Sequence, residues 1–168
     1  LQEIEFDSLH ANLLDDPILL NKVLLGVGNA YEQLEDAVGP GNVKLELQFN
    51  KLPAQHLVNR AIMHFATNNG LSENLVVTTD SHYSEPNHWK EREIYRKLGW
   101  LNYRDLDPSQ LPQSKEDLKC ELYPKNAEQL WETYQSTTKD HNFYDDDLIS
   151  NAIDRTYDIV HDEICVIT

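Results

Sequence analysis

Residues 43–49, Val-Lys-Leu-Glu-Leu-Gln-Phe, alternate apolar and polar side chains without a break and do most to decide the fold of this chain. Strict alternation of this kind is typical of a β-strand with one buried face. A second apolar run, residues 75–79, predicts another short strand. Between the two, Pro53 opens a helix that Asn68-Asn69-Gly70 closes. A strand, a helix and a strand within about 40 residues predict a βαβ unit, hence two parallel strands with a right-handed crossover.

The helix inside this unit carries an apolar stripe at helical spacing, which predicts its buried face. The stripe consists of Leu57, Val58, Ala61, Ile62, Phe65 and Ala66. Upstream, Asp15-Asp16-Pro17 supplies an N-cap and a first-turn proline for another helix, which Gly39-Pro40-Gly41 stops after Val38. Gly26 and Gly28 weaken the middle of that helix by about 1 kcal/mol each relative to alanine.

Downstream of Tyr83 the pattern becomes mainly helical. Residues 89–98 predict a short helix ended by Gly99, residues 101–119 a surface loop, and residues 120–123 a brief strand. Asn126 caps a helix that extends to about Thr138, with an inner face of Leu130, Trp131 and Tyr134. The last helix starts at Asp145-Asp146-Asp147 and carries the stripe Leu148, Ile149, Ala152, Ile153, Thr156, Ile159 and Val160.

These elements predict an α/β fold with a parallel βαβ unit followed by a mostly helical extension. The expected organisation is a helical segment at 1–41, an α/β domain at 42–119 and the helical extension at 120–168. The sequence has no apolar run of about 18 residues, and therefore no expected membrane span. Its first residues lack a signal-peptide pattern and an initiating Met, which is consistent with a trimmed or excised piece.

Charge and cysteine content bound the function further. Fourteen basic against 29 acidic residues give a formal net charge of −15, which argues against a broad nucleic-acid surface on this chain. Most of this acidity is expected to be solvated surface. The two cysteines, Cys120 and Cys165, form no CxxC, which favours a reducing cytoplasm over a disulfide framework.

Asp80 and His82 are the strongest candidates for chemistry, because they directly follow the second apolar strand. Ligands of parallel α/β sheets meet the loops at the carboxyl ends of the strands. Residues two apart in an extended segment project to the same side, so a carboxylate oxygen and an imidazole nitrogen could face one Zn²⁺, Mn²⁺ or Fe²⁺ ion. A metal there could activate water and clamp phosphate oxygens. Two ligands do not complete a zinc site, and the alternative is a strand-end Asp that caps a turn beside a surface His.

The other histidines and acidic clusters have no spacing typical of a metal site. His56 and His64 lie too far apart along their helix to chelate one ion, and a ligand-bearing loop around His10 is a further alternative. Solvated side chains are expected at His88, His141, His161, Glu91, Glu93, Asp105 and Asp107. The start of the last helix explains Asp145-Asp146-Asp147 without a metal. No P-loop, dinucleotide-binding, nucleophile-elbow or HExxH motif occurs.

In their order along the chain, these segments resemble the PHP (polymerase and histidinol phosphatase) domain of the alpha subunit of bacterial DNA polymerase III, a C-family replicative polymerase. The resemblance covers roughly residues 42–162 and is carried by residues 44–48, Val58-Asn59, residues 76–83 (Val-Val-Thr-Thr-Asp-Ser-His-Tyr), residues 121–125 with the helix of Glu128 and Trp131, and the final helix with Asn151, Ala152 and Ile159. It implies the later strands of a distorted (β/α)-type barrel, in which Asp80 and His82 match the last ligand pair of a divalent metal site (Zn, Mn or Mg).

In some members of this family the complete site supports a metal-dependent 3′–5′ exonuclease, and in others the domain is a scaffold. This chain lacks the family's opening His-x-His motif and the aspartates of the polymerase palm, so it should not polymerise DNA by itself, and whether it is an enzyme stays open. The resemblance implies the remainder of the polymerase and other replisome proteins as partners, DNA contact through the whole polymerase, no membrane and a cytoplasmic location. The alternatives are a stand-alone metal-dependent phosphoesterase of the same superfamily and a non-catalytic acidic protein-interaction domain.

Overall fold

The backbone of residues 13–104 and 121–159 is described by a computed structural model, which also places the side chains of 13–99 and 121–159. The elements in chain order are α1 (Pro17–Val38), β1 (Leu45–Leu47), α2 (Pro53–Asn68), β2 (Leu75–Val77), α3 (Trp89–Arg104), α4 (Ala127–Thr138) and α5 (Asp146–Asp158). Short 3₁₀ turns at Ser72–Asn74 and Pro86–His88 precede β2 and α3.

Strands β1 and β2 form a parallel sheet, in the register Leu45 to Leu75 and Leu47 to Val77. The mixed α/β class and the parallel βαβ unit predicted from the alternating run are therefore confirmed. Both strands are shorter than the runs at 43–49 and 75–79, because a ladder lasts only while both chains stay extended side by side. The flanking Val43 and Phe49 are nevertheless buried, so the alternation correctly marked the inner face of β1.

Helix α1 begins and ends where its local chemistry predicts. The Asp16 carboxylate accepts hydrogen bonds from the backbone N–H groups of Ile18 (2.8 Å) and Leu19 (3.1 Å), and Pro17 occupies the first turn. Gly39 follows Val38 with a φ of +92°, a conformation that favours glycine. The helix packs on α2, where the rings of Tyr31 and Phe65 lie 5.4 Å apart between centroids.

Helix α2 buries a face that differs from the predicted stripe. Leu57, Ala61 and Ala66 are buried as predicted, but Val58 is 37% exposed. His56 and Asn59 are buried in addition to the apolar residues, with exposed fractions of 2% and 0%. The prediction was partly wrong because it considered only apolar side chains. A polar side chain that finds hydrogen-bond partners can also be buried on this face.

Helices α4 and α5 return to the sheet and complete the core. Asn126 and Gln129 form a reciprocal capping box at the start of α4, and Asp145 caps α5 through the Leu148 N–H at 2.9 Å. Both predicted helix starts are thus confirmed. One hydrophobic cluster joins residues from α1, the βαβ unit and both of these helices: Tyr31, Val43, Leu45, Leu47, Phe49, Met63, Ala66, Leu75, Val77, Leu130, Tyr134, Ile149, Ala152 and Ile153.

Two predictions downstream of Tyr83 are wrong. Helix α3 continues through Gly99 to Arg104, because one glycine in a helix costs only about 1 kcal/mol and cannot by itself end a run of helix-forming residues. Residues 121–123 form no strand, since Leu122 bonds to the backbone of His82 and Tyr83 through a single carbonyl and no ladder continues from it in the described chain. Most of the predicted loop at 101–119 lies outside the described residues, as does Cys120. No helix within the described ranges is long and apolar enough to cross a bilayer.

Candidate functional site

The carboxyl ends of β1 and β2 lie side by side, because the two strands are parallel and in register. The Thr78 N–H continues the ladder by donating to the Leu47 carbonyl at 3.2 Å. Beside this bond, the Thr78 hydroxyl donates to the Glu46 carboxylate, which joins the two strands on their outer face. Asn50 follows β1 and Asp80 follows β2, so this edge collects polar side chains, as the strand order predicts.

Asp80 and His82 contact each other beyond the end of β2. The Nε2 atom of His82 lies 2.9 Å from Oδ2 of Asp80, and the two side chains are 38% and 49% exposed, respectively. The predicted proximity of the pair is therefore observed, but the two groups face each other. In this geometry the carboxylate orients the imidazole and leaves its Nδ1 atom directed away from the contact, as second carboxylates do for metal-binding histidines.

The loop that carries the pair is fixed by residues 121–123. The Leu122 carbonyl accepts hydrogen bonds from the backbone N–H groups of His82 (2.8 Å) and Tyr83 (3.2 Å). In return, the Leu122 N–H donates to the Tyr83 hydroxyl at 2.9 Å. Three hydrogen bonds across about 40 residues of sequence hold Tyr83 and His82 in one orientation, so the site is preorganised.

Lys125 is a buried cation beside this loop. Its side chain is 2% exposed, and its Nζ atom lies 3.4 Å from a Glu121 carboxylate oxygen and 4.1 Å from the centroid of the Tyr123 ring. Burial lowers the pKa of the Lys125 ammonium, and the adjacent Glu121 offsets part of that effect. Lys125 and Asp80 both line a cavity of about 20 Å³, which has room for a single water molecule or ion.

A larger groove of about 370 Å³ opens at the same edge of the sheet. Its walls combine aromatic rings with hydroxyl and amide groups: Phe49, Asn50, Lys51, Tyr83, Pro86, Trp89, Glu121, Tyr123, Thr133, Ser136 and Thr137. We call this the strand-end groove. Loops after both strands contribute to it, together with the first residue of α3 and one face of α4.

A buried polar cluster around His56 supports the loop that follows β1. His56 Nδ1 lies 2.8 Å from the Tyr144 hydroxyl, which also accepts a hydrogen bond of 3.1 Å from the Asn59 amide. That amide donates at 2.8 Å to the Gln48 carbonyl. A ring nitrogen of His56 also donates to the Asn50 backbone, so in the neutral imidazole the Nδ1 atom is the acceptor and the Tyr144 hydroxyl donates to it. Burial and the neighbouring His141 lower the pKa of His56 to about 4.

The sequence did not single out this cluster. Burial raises the pKa of the Tyr144 phenol, so the phenol stays a hydrogen-bond donor at neutral pH. The one available signal was the position of His56 and Asn59 on the face of α2 that also carries Leu57. The prediction of a solvated His141 is wrong, because its ring packs against that of His56, with 4.3 Å between centroids and a tilt of 49°, and is half-buried.

The remaining predicted residues are dispersed. His64 is exposed on α2, and His88 forms a hydrogen bond of 3.1 Å with Ser84. Glu91 is exposed as predicted, whereas Glu93 is only 5% exposed because it pairs with Arg96 at 3.0 Å. Asp146 accepts a hydrogen bond from Tyr134, so it serves the core beside the helix start. His10, His161, Cys165, Asp105 and Asp107 lie outside the described residues.

Residues 13–104 and 121–159 contain no group of three or more His, Cys, Asp or Glu side chains that could hold a metal ion. Asp80 and His82 therefore fall at least one ligand short of a zinc site within this part of the chain. The sequence matched no protein-family model, and neither the search of curated proteins nor that of solved structures found a match.

Proposed function

We propose that this chain is the later part of the PHP domain of a C-family replicative DNA polymerase, of the bacterial DNA polymerase III alpha type, and serves DNA replication as a scaffold. The observation that carries the proposal is the placement of Asp80 and His82, two potential ligands in contact just beyond the carboxyl end of a parallel strand. Barrel enzymes collect their ligands at such ends. The finer architecture, a partial PHP-type (β/α) barrel, belongs to this proposal.

The donors present fit only part of a divalent metal site. A Zn²⁺, Mn²⁺ or Mg²⁺ ion held by Asp80, His82 and further ligands would supply an activated water and a clamp for phosphate oxygens. The described residues bring no third ligand to the pair, so no hydrolytic step follows from them. A scaffold role needs none, whereas a 3′–5′ exonuclease role requires ligands from other residues. Asp80 holds His82 in position for either case.

The packing of α4 and α5 supports a polymerase over a stand-alone phosphoesterase of the same superfamily. Tyr134 and Ile149 belong to the same hydrophobic cluster as the strands. A small phosphoesterase has no need of helices after residue 120, whereas a polymerase needs a path from this domain to its palm. Cytoplasmic location, and partnership with the remainder of the polymerase and other replisome proteins, follow from the proposal.

The net charge of −15 argues against a broad phosphate-binding surface on this chain and assigns such a surface to the remainder of the polymerase. The same acidity favours the second candidate, a non-catalytic domain that binds a partner protein through its acidic surface. The two candidates differ in what is encoded after Thr168. We expect the reading frame of the full gene to continue into a palm with paired aspartates, and a stop codon directly after Thr168 would refute the polymerase proposal.

Metal titration tests the scaffold role directly. Isothermal titration of the chain with Zn²⁺ or Mn²⁺ should show no tight stoichiometric binding, because two ligands are too few. His64→Ala is the matched control, since His64 is an exposed histidine on α2 and not on the loop that carries the pair. Tight binding that is lost in both Asp80→Ala and His82→Ala, but kept in His64→Ala, would contradict the scaffold role and favour an enzyme.

A further inference from the structure

The strand-end groove has the composition of a site for a flat aromatic ligand. Tyr83, Trp89 and Tyr123 all line it, and the rings of Tyr83 and Tyr123 lie 6.4 Å apart between centroids with a tilt of 34°. Its volume of about 370 Å³ falls in the range of small-molecule sites, roughly 300–1,000 Å³. Aromatic rings around a cavity of this size offer stacking surfaces to a planar group.

Two of these rings are held in place from behind. The Tyr83 hydroxyl is fixed by the Leu122 N–H at 2.9 Å. Lys125 places its ammonium 4.1 Å from the centroid of Tyr123, but it lines the 20 Å³ cavity and not the groove. The ammonium therefore backs Tyr123 and leaves the groove side to a ligand. Preorganised rings lose little side-chain entropy when a ligand binds.

The polar wall of the groove offers hydrogen-bond acceptors. Thr133 donates its hydroxyl proton to the Gln129 carbonyl at 2.7 Å, and Thr137 donates to the Thr133 carbonyl at 2.8 Å. Because each hydroxyl proton is already engaged within α4, the oxygens of both residues can only accept. Acceptors of this kind suit the ring N–H and amino groups on the edge of a nucleobase.

We propose that the strand-end groove binds an unpaired base of single-stranded DNA by stacking it on Trp89 and Tyr123. The choice of DNA over other aromatic ligands rests on the proposed function, whereas the groove itself stands on its own geometry. Lys51 is the one cation among the described residues that line the groove, and the Lys90 ammonium lies 5.6 Å from the centroid of the Trp89 ring, so one or two phosphates can be neutralised there. Binding should thus depend on stacking and only weakly on salt.

Fluorescence anisotropy with a labelled oligothymidylate, in the presence of EDTA, tests this proposal. Trp89→Leu keeps apolar volume but removes the ring and should weaken binding by roughly 5- to 150-fold, the range for loss of one base stack. Trp89→Phe keeps a ring and should bind nearly as well as the wild-type chain. Tyr95→Leu is the control, because Tyr95 lies on the same helix, is 82% exposed and is not part of the groove.

The salt dependence supplies a second readout. The slope of log K against log salt should lie between about −0.7 and about −1.4, the values for one and two phosphate contacts on a single strand. If Trp89→Leu does not fold, as judged by circular dichroism, Tyr123→Leu against Tyr123→Phe decides in the same way. Absence of oligothymidylate binding, equal binding by the Leu and Phe variants, or a slope several times steeper would overturn the proposal.

A competition experiment tests whether the groove binds a peptide and not DNA. A proline-rich peptide also docks in aromatic grooves, and its binding in place of the oligothymidylate would overturn the DNA proposal in favour of a peptide site. The failure of this inference is separable from that of the proposed function. If the reading frame continues into a palm but the chain does not bind oligothymidylate, the polymerase proposal stands and the proposed DNA-binding role of the strand-end groove is refuted.

Discussion

Acidification from about pH 7 to about pH 5 should destabilise the fold by about 2 kcal/mol through His56 alone. The pKa of this histidine is lowered from 6.5 to about 4 by burial and by the neighbouring His141. Between these values the unfolded chain binds a proton that the folded chain excludes, so stability falls as the pH drops below 6.5 and levels off near 4. Each pH unit inside this window costs about 1.4 kcal/mol.

The structure explains why the proton is excluded. His56 is 2% exposed, so a charge on its ring would lose almost all of its hydration, and its neutral Nδ1 atom accepts a hydrogen bond from the Tyr144 hydroxyl at 2.8 Å. Protonation of Nδ1 would force the Tyr144 hydroxyl to give up its role as donor to His56, in a buried site where an unpaired proton is costly. His141 adds like-charge repulsion from the other side of the ring.

Urea denaturation followed by circular dichroism, at several pH values from 7 to about 5, measures the effect. This window stays above the sequence pI of about 4.7, where the chain would carry no net charge and precipitate. Comparison with His56→Gln cancels the contribution of the other titrating groups. Between pH 7 and about pH 5 the stability of this variant should fall by about 2 kcal/mol less than that of the wild type. His64→Gln, an exposed histidine on the same helix, should retain the wild-type slope. Parallel curves for the wild type and His56→Gln would refute the buried neutral histidine.

Two further predictions concern the packing of the βαβ unit. Arg155 donates to the Ser72 carbonyl at 2.7 Å and to the Leu75 carbonyl at 3.3 Å. Loss of these bonds in Arg155→Ala should therefore lower the free energy of unfolding, measured in urea, by about 1–3 kcal/mol. No change within experimental error would show that water replaces these bonds. Gly70 has a φ of +69°, so Gly70→Ala should lower the free energy of unfolding by about 1–2 kcal/mol. Gly26 lies within α1, where an added Cβ meets open space, so Gly26→Ala should raise the free energy of unfolding by about 0.5–1 kcal/mol in the same assay. Stability changes of the same sign in Gly70→Ala and Gly26→Ala would contradict these predicted opposite effects.

The βαβ unit was predictable because its signals are local. The alternation at residues 43–49, the proline at 53 and the Asn-Asn-Gly stop at 68–70 each favour one conformation whatever surrounds them. Strand ends and the exposure of Val58 depend on the neighbour that packs there, which no local pattern contains. Gly99 illustrates the limit of such signals, since its propensity is weak enough for the surrounding residues of α3 to override it.

The candidate site was predictable in position but not in composition. Asp80 and His82 follow an apolar strand, so their place at the carboxyl end could be inferred from the strand alone. Their mutual contact, the burial of Lys125 and the strand-end groove all depend on residues 121–125 docking on the loop of Tyr83. The partners of His56 and Asn59 at Tyr144 are likewise 88 and 85 residues away in sequence. Contacts at such separations leave no trace in periodicity.

The two edges of the sheet constrain how a larger barrel could be built around it. The Thr78 N–H points to β1, and backbone groups alternate along a strand, so the carbonyls of Leu75 and Val77 point away from β1. Side chains of α5 occupy both, since Arg155 donates to Leu75 and Thr156 donates to Val77 at 2.9 Å. This edge of β2 is therefore covered by a helix, as protected edge strands are.

The outer edge of β1 is different. It borders a groove of about 360 Å³ between α1 and α2, lined by residues 43–46 of the strand region and by apolar side chains such as Val27 and Ile62. A strand that joins this sheet must pair with β1, because only that edge is not taken by α5 in the described chain. We infer that in the proposed polymerase the earlier strands of the barrel add at β1. A structure of the proposed polymerase in which a new strand pairs with β2, in the place of α5, would refute this order.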